Sequence, residues 1–354
     1  MKASATGSFL TGIIEGFYGR SWSFATRQAY AGYLAAAGLN TCLYCPKEDP
    51  FLRKQWHEHW PAGEWQCLLD LSATYRRHGL YWGVGLSPFA LYRNYGPGQR
   101  EQLRGKLARL AELDAPLLAI LFDDMPGEMD ALASRQAEII SDVVDWTPGV
   151  RVMVCPTYYS FDPVLETHFG CMPVDYWPQL GRELPAGVDI FWTGSRVCSE
   201  AVRVSDIIAI NEQLARQVML WDNYPVNDGA VRSNFLFCTP LAHRDPGLKT
   251  LLRGHLCNPM NQALLSLPAL AGLASLYHKG NDEPEWLAQI LGASTWKQLR
   301  SDRAVFEQQG LSGLSDGRRE HLAAVYDALP GPAAREVAGW LRGEYTFDPA
   351  CLTG

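Results

Sequence analysis

The sequence predicts an α/β fold, a (β/α)8 TIM-like barrel over residues 1–280 followed by a small α-helical appendage over 281–354. Short β-like runs alternate with longer segments whose apolar residues recur at helical spacing, the pattern of parallel βα units. The runs number eight, the count that closes a barrel. After Gly280 the texture changes to charged, helix-favouring sequence broken by Gly and Pro.

The runs are Gly12 to Tyr18, Asn40 to Cys45, Tyr81 to Ser87, Pro116 to Asp123, Arg151 to Cys155, Val188 to Thr193, Gln217 to Trp221 and Gly254 to Cys257. Between them helical spacing is plain in Leu103, Leu107 and Leu110, and again in Ile139, Ile140, Val143 and Val144. The last such segment of the barrel is Ala263 to Tyr277.

Composition narrows the function. With 354 residues, 47% of them hydrophobic and 19% charged, the chain buries at least one full core, which excludes a disordered tail or a small disulfide scaffold. Lys plus Arg total 31 against 38 Asp plus Glu, and the formal charge of −7 has the wrong sign for collecting phosphates, so nucleic acid is not an expected partner. Met1 to Leu10 lacks the apolar core of a secretory signal, and the best apolar stretch, Ala115 to Phe122, is too short to cross a bilayer. Nine singly scattered cysteines fit reduced thiols in a cytoplasmic protein. Cys42 and Cys45 lie three apart in a strand-like run, where they point to opposite faces, and no second pair follows to complete a zinc site.

Reactive groups of such a barrel gather at the carboxyl ends of its strands, where the βα loops open. Those ends read Glu15-Gly16-Phe17-Tyr18-Gly19, Cys45-Pro46-Lys47-Glu48-Asp49, Phe122-Asp123-Asp124, Cys155-Pro156-Thr157-Tyr158-Tyr159, Trp192-Thr193-Gly194, Trp221-Asp222-Asn223 through Asn227-Asp228, and Asn258-Pro259. Carboxylates, amides, one Lys and several aromatic rings converge, the chemistry that binds sugars: rings offer flat apolar faces and polar groups answer hydroxyls.

Asp123 and Asp124 follow a buried run, so two carboxylates enter the barrel mouth together. Like charges that close cannot both ionise freely, and one pKa is expected to rise while the other stays low. The bland alternative is a pair that caps the following helix. Adjacent carboxylates do not suit an ordinary retaining glycosidase, which places two groups on opposite sides of the scissile bond. A substrate carrying a 2-acetamido group removes the difficulty, because its own carbonyl oxygen attacks the anomeric carbon while one Asp holds the amide N–H and the other protonates the leaving oxygen.

Gly12-Ile-Ile-Glu-Gly-Phe-Tyr-Gly-Arg20 with Trp22, Leu43-Tyr-Cys-Pro-Lys-Glu-Asp49, Leu121-Phe-Asp-Asp124, Cys155-Pro-Thr157, Trp192-Thr-Gly194 and Trp221-Asp-Asn223 with Asn227-Asp228 together resemble glycoside hydrolase family 84, the O-GlcNAcase and bacterial β-N-acetylglucosaminidase family. The likeness covers about residues 10 to 278 and keeps the order and approximate spacing of the motifs. It implies a retaining exo-β-N-acetylglucosaminidase that works through an oxazoline intermediate on terminal β-linked GlcNAc and needs no cofactor or metal. Asp123 then corresponds to the residue that orients the acetamide, and Asp124 to the general acid and base. By the same resemblance Tyr159 contacts the acetamide carbonyl or the reacting centre, and Thr193, Val197 and Trp221 wall the acetyl methyl. Asn223 and Asp228 bind outer hydroxyls, Asn258 lies near the N-acetyl group or ring, and Lys47 with the Gly16 backbone holds the hydroxyl edge. Glu15 is read as structural, paired within the barrel. Tyr158 departs from the family pattern, which often has Glu there, and the helical tail makes a homodimer plausible.

Three other readings stand beside this one. A GlcNAc-binding barrel without turnover would keep the pocket, and a related glycosidase would act on a different N-acetylated conjugate. His57-Glu58-His59 looks like the His-x-His of metal-dependent barrel hydrolases, but it lies beyond Lys47 rather than at a strand end.

Overall fold

The computed structural model describes residues 7–278 and 281–353. Every predicted run overlaps a strand, with β1 starting two residues early and β7 ending one residue late: β1 (Leu10–Glu15), β2 (Thr41–Tyr44), β3 (Tyr81–Leu86), β4 (Leu117–Leu121), β5 (Arg151–Cys155), β6 (Asp189–Trp192), β7 (Met219–Asp222) and β8 (Gly254–Cys257). Each pairs in parallel with its sequence neighbours, and β1 closes on β8 with Leu10 opposite Gly254 and Ile13 opposite Cys257. Both faces of a closed parallel sheet are covered, so strand residues such as those of β4 are buried throughout, and the runs read as continuous apolar sequence rather than as alternation. Gly12 of β1 belongs to this closure, since a Cβ there would lie 1.9 Å from the Thr41 carbonyl oxygen of β2.

The outer layer comprises α1 (Phe24–Ala36), α2 (Ala62–Arg77), α3 (Pro97–Ala111), α4 (Leu132–Trp146), α5 (Val164–Phe169), α6 (Tyr176–Glu183), α7 (Val204–Leu214) and, after β8, α8 (Leu267–His278). Helix α1 starts where the Ser23 hydroxyl accepts the Thr26 N–H at 3.1 Å, and it buries Tyr30, Ala31 and Leu34 against the barrel. Its Arg27 reaches inward to Glu15, donating from Nη2 to Oε1 at 2.5 Å in a fully buried fork, which is the structural pairing expected of Glu15.

One crossover departs from the expected helical filling. Among the described residues no α-helix joins β7 to β8; the link contains only 3-10 turns at Arg232–Asn234 and Pro246–Thr250. Pro225, Pro240 and Pro246 with Gly229 and Gly247 interrupt that stretch, and each proline removes a backbone donor that a helix needs.

A buried ionic cluster fixes this irregular link. Arg244 donates to both oxygens of Asp222 at 2.8 and 2.7 Å, and also to the carbonyls of Ser199, Glu200 and Ala242. Burial keeps His255 below its ordinary pKa, so the neutral ring donates from Nε2 to Asp222 at 2.9 Å and accepts the Tyr277 hydroxyl at Nδ1. Burial raises the Asp222 carboxyl, but Arg244 and His255 outweigh it and hold the group well below the usual carboxylate range.

Four further helices follow: α9 (Glu285–Leu291), α10 (Ala293–Gln308), α11 (Asp316–Asp327) and α12 (Pro332–Leu341). They sit on the barrel through carboxylates that accept backbone N–H groups. Glu307 takes the N–H groups of Cys238 and Thr239, each at 2.6 Å, and Glu336 takes those of Leu264 and Leu265 at 3.0 and 3.1 Å. The expected boundary at 280 falls on residues 279–280, which lie outside the described residues, as do residues 1–6 of the stretch read for a signal.

Replacing Arg244 by Met leaves Asp222 buried against a single neutral donor, and the loss expected for breaking a buried pair is about 3–5 kcal/mol. Urea denaturation of Arg244→Met should show this as a lower midpoint, and an unchanged midpoint would contradict the role given to the cluster.

Candidate active site

The carboxyl ends of the strands form one pocket lined by Gly16, Lys47, Asp123, Asp124, Tyr159, Thr193, Val197, Trp221, Asn223, Asp228 and Asn258, the whole set expected from the sequence. Six further residues complete the lining: Tyr18, Cys155, Cys198, Val226, Cys351 and Thr353.

Adjacent residues of an extended strand point to opposite sides, so two neighbouring carboxylates can share a pocket only if the chain leaves that conformation. Asp124 does so: its φ of 54° lies in the left-handed region, which Asp tolerates better than most residues. Helix α4 begins only at Leu132 after Ala131, so neither aspartate caps it.

The two carboxylates have different partners. Asp123 is buried and forms an ion pair between its Oδ2 and the buried Lys47 ammonium, whose pKa the aspartate raises although burial pulls it down. Its Oδ1 is buried and accepts no hydrogen bond among the described residues. Lys47 is therefore engaged with Asp123. Asp124 accepts the Tyr18 hydroxyl on Oδ2 at 2.8 Å and the Tyr159 hydroxyl on Oδ1 at 3.0 Å. Burial pushes both phenols well up, so they remain neutral donors.

Arg53, from the loop after β2, donates to the Asp124 carbonyl at 3.1 Å and to the Ser87 hydroxyl at 3.0 Å, and so grips the strained backbone from outside the pocket. Neither Tyr18 nor Arg53 is among the residues singled out from sequence. Tyr18 lies within the Gly16-Phe17-Tyr18 strand end, a readable signal, whereas nothing local marks Arg53.

The opposite wall is a frame of amides. Asn223 Oδ1 accepts both Trp221 Nε1 and Asn258 Nδ2 at 3.0 Å, Asn223 Nδ2 donates to the Val197 carbonyl at 2.9 Å, and Asn258 Oδ1 accepts the Gly16 N–H at 3.2 Å. These bonds lock the rings and loops, so Asn223 serves first as a brace. Gly16 is required by contact, since a Cβ there would lie 2.3 Å from Trp221 Cζ2. Asp228 accepts the Tyr18 N–H at 2.7 Å, and burial pushes its carboxyl up to about 6.

The family model described as beta-N-acetylglucosaminidase matches residues 11–293, and so covers the barrel and every strand end described above. The chain belongs to this glycoside hydrolase family. It is 28% identical over 287 residues to protein O-GlcNAcase of Rattus norvegicus and, equally, to that of Mus musculus; the match covers 76% of this chain and 30% of each relative. The chain thus spans under a third of the length of those curated relatives. Among solved structures it is similar to a mutant of the O-GlcNAc hydrolase of Thermobaculum terrenum, with a TM-score of 0.76 and 26% identity, over 94% of this chain and 81% of that one.

Within a family of sugar hydrolases the His57-Glu58-His59 motif is left outside the pocket. His57 and Glu58 are about half exposed and 4.0 Å apart. Among the described residues no group of three His, Cys, Asp or Glu side chains could hold a metal ion. Cys42 and Cys45 are buried thiols, and burial pushes Cys42 up to about 12. Tyr158 turns away from the mouth and donates its hydroxyl to the Gly170 carbonyl at 2.7 Å.

The raised Asp228 carboxyl has a signed consequence. Its folded pKa lies above the unfolded one, so its contribution to stability is complete below the unfolded value and is lost as pH rises through about 6. Asp228→Asn lacks this titration, so its melting temperature relative to the wild type should rise between pH 4 and pH 7, by an amount equivalent to at most about 3 kcal/mol. A difference that stays flat across this range would show that Asp228 is not shifted.

Proposed function

We propose that the chain is a retaining exo-β-N-acetylglucosaminidase that removes terminal β-linked GlcNAc from a glycoconjugate by substrate-assisted catalysis. The observation that carries this reading is the buried, unpartnered Oδ1 of Asp123 beside an Asp124 whose two oxygens meet tyrosine hydroxyls. A buried carboxylate oxygen without a donor is costly, and an acetamide N–H of the substrate supplies the missing one.

With that N–H held, the acetamide carbonyl oxygen attacks the anomeric carbon as the glycosidic bond breaks. Asp124 delivers its proton to the departing oxygen, then takes one from the water that opens the protonated oxazoline, the oxazolinium ion. Tyr18 and Tyr159 hold the Asp124 carboxyl, Arg53 holds its backbone, and Lys47 pairs with Asp123, which faces the amide nitrogen as it becomes positive. Thr193, Val197 and Trp221 enclose the acetyl methyl, and Asp228 answers an outer hydroxyl. The O-GlcNAc specificity in the names of the similar proteins enters here as a candidate aglycone, a sugar on a protein hydroxyl. Cytoplasmic action is part of the same reading, supported by buried thiols such as Cys42, Cys155 and Cys257. No helix among the described residues is long and apolar enough to cross a membrane.

Asp124→Asn should lose roughly 10²–10⁴-fold in kcat/KM on substrates with poor leaving groups and far less on activated aryl glycosides, because protonation matters little when departure is easy. Asp123→Asn should slow both classes and weaken inhibition by a GlcNAc-thiazoline, the stable mimic of the oxazoline. Equal losses on both classes for Asp124→Asn, or inverted product seen by NMR, would overturn the mechanism.

A further inference from the structure

The pocket that is to receive the sugar is lined in part by the last residues of the chain itself. After α12 the chain turns back over the barrel mouth: Tyr345 stacks under the Arg20 guanidinium at 5.0 Å, and the Thr346 carbonyl runs beside Gly19. Asp348 then shares a hydrogen bond with the Glu48 carboxyl on the loop after β2. Its backbone carbonyl accepts the Cys351 N–H at 2.9 Å and its Oδ1 accepts the Ala350 N–H at 2.8 Å, which turns the chain downward. Cys351 Sγ comes to 3.8 Å from Asp228 Oδ1, and Thr353 joins Tyr159 in the pocket lining.

Cys351 and Thr353 belong to the lining of the pocket itself, so the strap takes up part of the space that an N-acetylated sugar ring needs. Cys351 lies against Asp228, the side chain that answers an outer hydroxyl of the sugar, so strap and substrate cannot both hold it. Within the strap Pro349, Ala350 and Leu352 are exposed, so release costs little buried apolar area.

We propose that residues 348–353 form a self-inhibitory strap that occupies the sugar subsite and is expelled when an N-acetylated sugar enters. This rests on the functional reading above for the identity of the competing ligand. A ligand that binds only the open form binds more weakly by the factor of the open fraction. Removing the strap therefore lowers KM and leaves the chemical step alone.

The test uses the full chain, a variant ending at Phe347, and Asp348→Ala, which loosens the strap at a half-buried site outside the core. With GlcNAc-thiazoline as probe, calorimetry should show binding about tenfold tighter for the shortened form and about threefold tighter for Asp348→Ala, and aryl N-acetylglucosaminide turnover should show lower KM with kcat within twofold. In the full chain the probe should speed hydrogen exchange at the amides of Ala350 and Cys351, the reverse of the protection a bound ligand usually confers. Exchange that slows or does not change while the probe is bound, or equal probe affinity with and without the strap, would overturn this inference and leave the enzyme assignment standing. Failure of any form to bind the probe would overturn both.

Discussion

Closing eight strands of only four to six residues into one parallel barrel is the constraint from which the rest of this structure follows. Parallel pairing sends every carboxyl end to the same rim, so residues as distant as Gly16 and Asn258 meet at 3.2 Å. Strands this short bury few side chains each, and polar clamps between loops supply the remaining order. Glu15 with Arg27, and Asp222 with Arg244 and His255, each tie a strand end to the segment that follows or overlies it. At the opposite end, Arg151 and Arg253 share Asp189 at 2.6 and 3.0 Å, which knits β5, β6 and the approach to β8.

Within the pocket, two chemically identical side chains meet different surroundings. Asp123 faces a buried cation and keeps one oxygen without a donor, whereas Asp124 is held by neutral hydroxyls and partly faces the opening. Lys47 fixes one carboxylate, and two phenol hydroxyls orient the other. The left-handed turn at Asp124 makes this division possible, because without it the second carboxyl would point away from the first.

Much of this was legible in the sequence, for a physical reason. Strands covered on both faces become unbroken apolar runs, and the polar residues that end them stand out against that background, as at Phe122-Asp123-Asp124 and Trp221-Asp222-Asn223. The fold and all the residues expected to line the pocket emerge from that contrast together with the family resemblance. What escaped lies off the strand ends. Arg53 acts through a backbone carbonyl 71 residues away, and Cys351 contacts a residue 123 positions earlier, neither with any periodicity to reveal it. The engagement of Lys47 with Asp123 and of Asn223 with its own frame likewise depends on three-dimensional pairing, which residue type alone does not specify. The β7 to β8 link shows the limit from the other side, since its prolines and glycines were readable signs against a helix.

The way the last helices meet the barrel bears on how portable the catalytic unit is. Glu307 and Glu336 reach across to accept main-chain N–H groups at Cys238, Thr239, Leu264 and Leu265, taking the part that caps and turns usually play within a fold. Excising the barrel at its last strand would therefore strip four backbone donors of their acceptors at once. The helical tail is in this sense a piece of the barrel's own scaffolding, and grafting this pocket into another protein means carrying those two glutamates along.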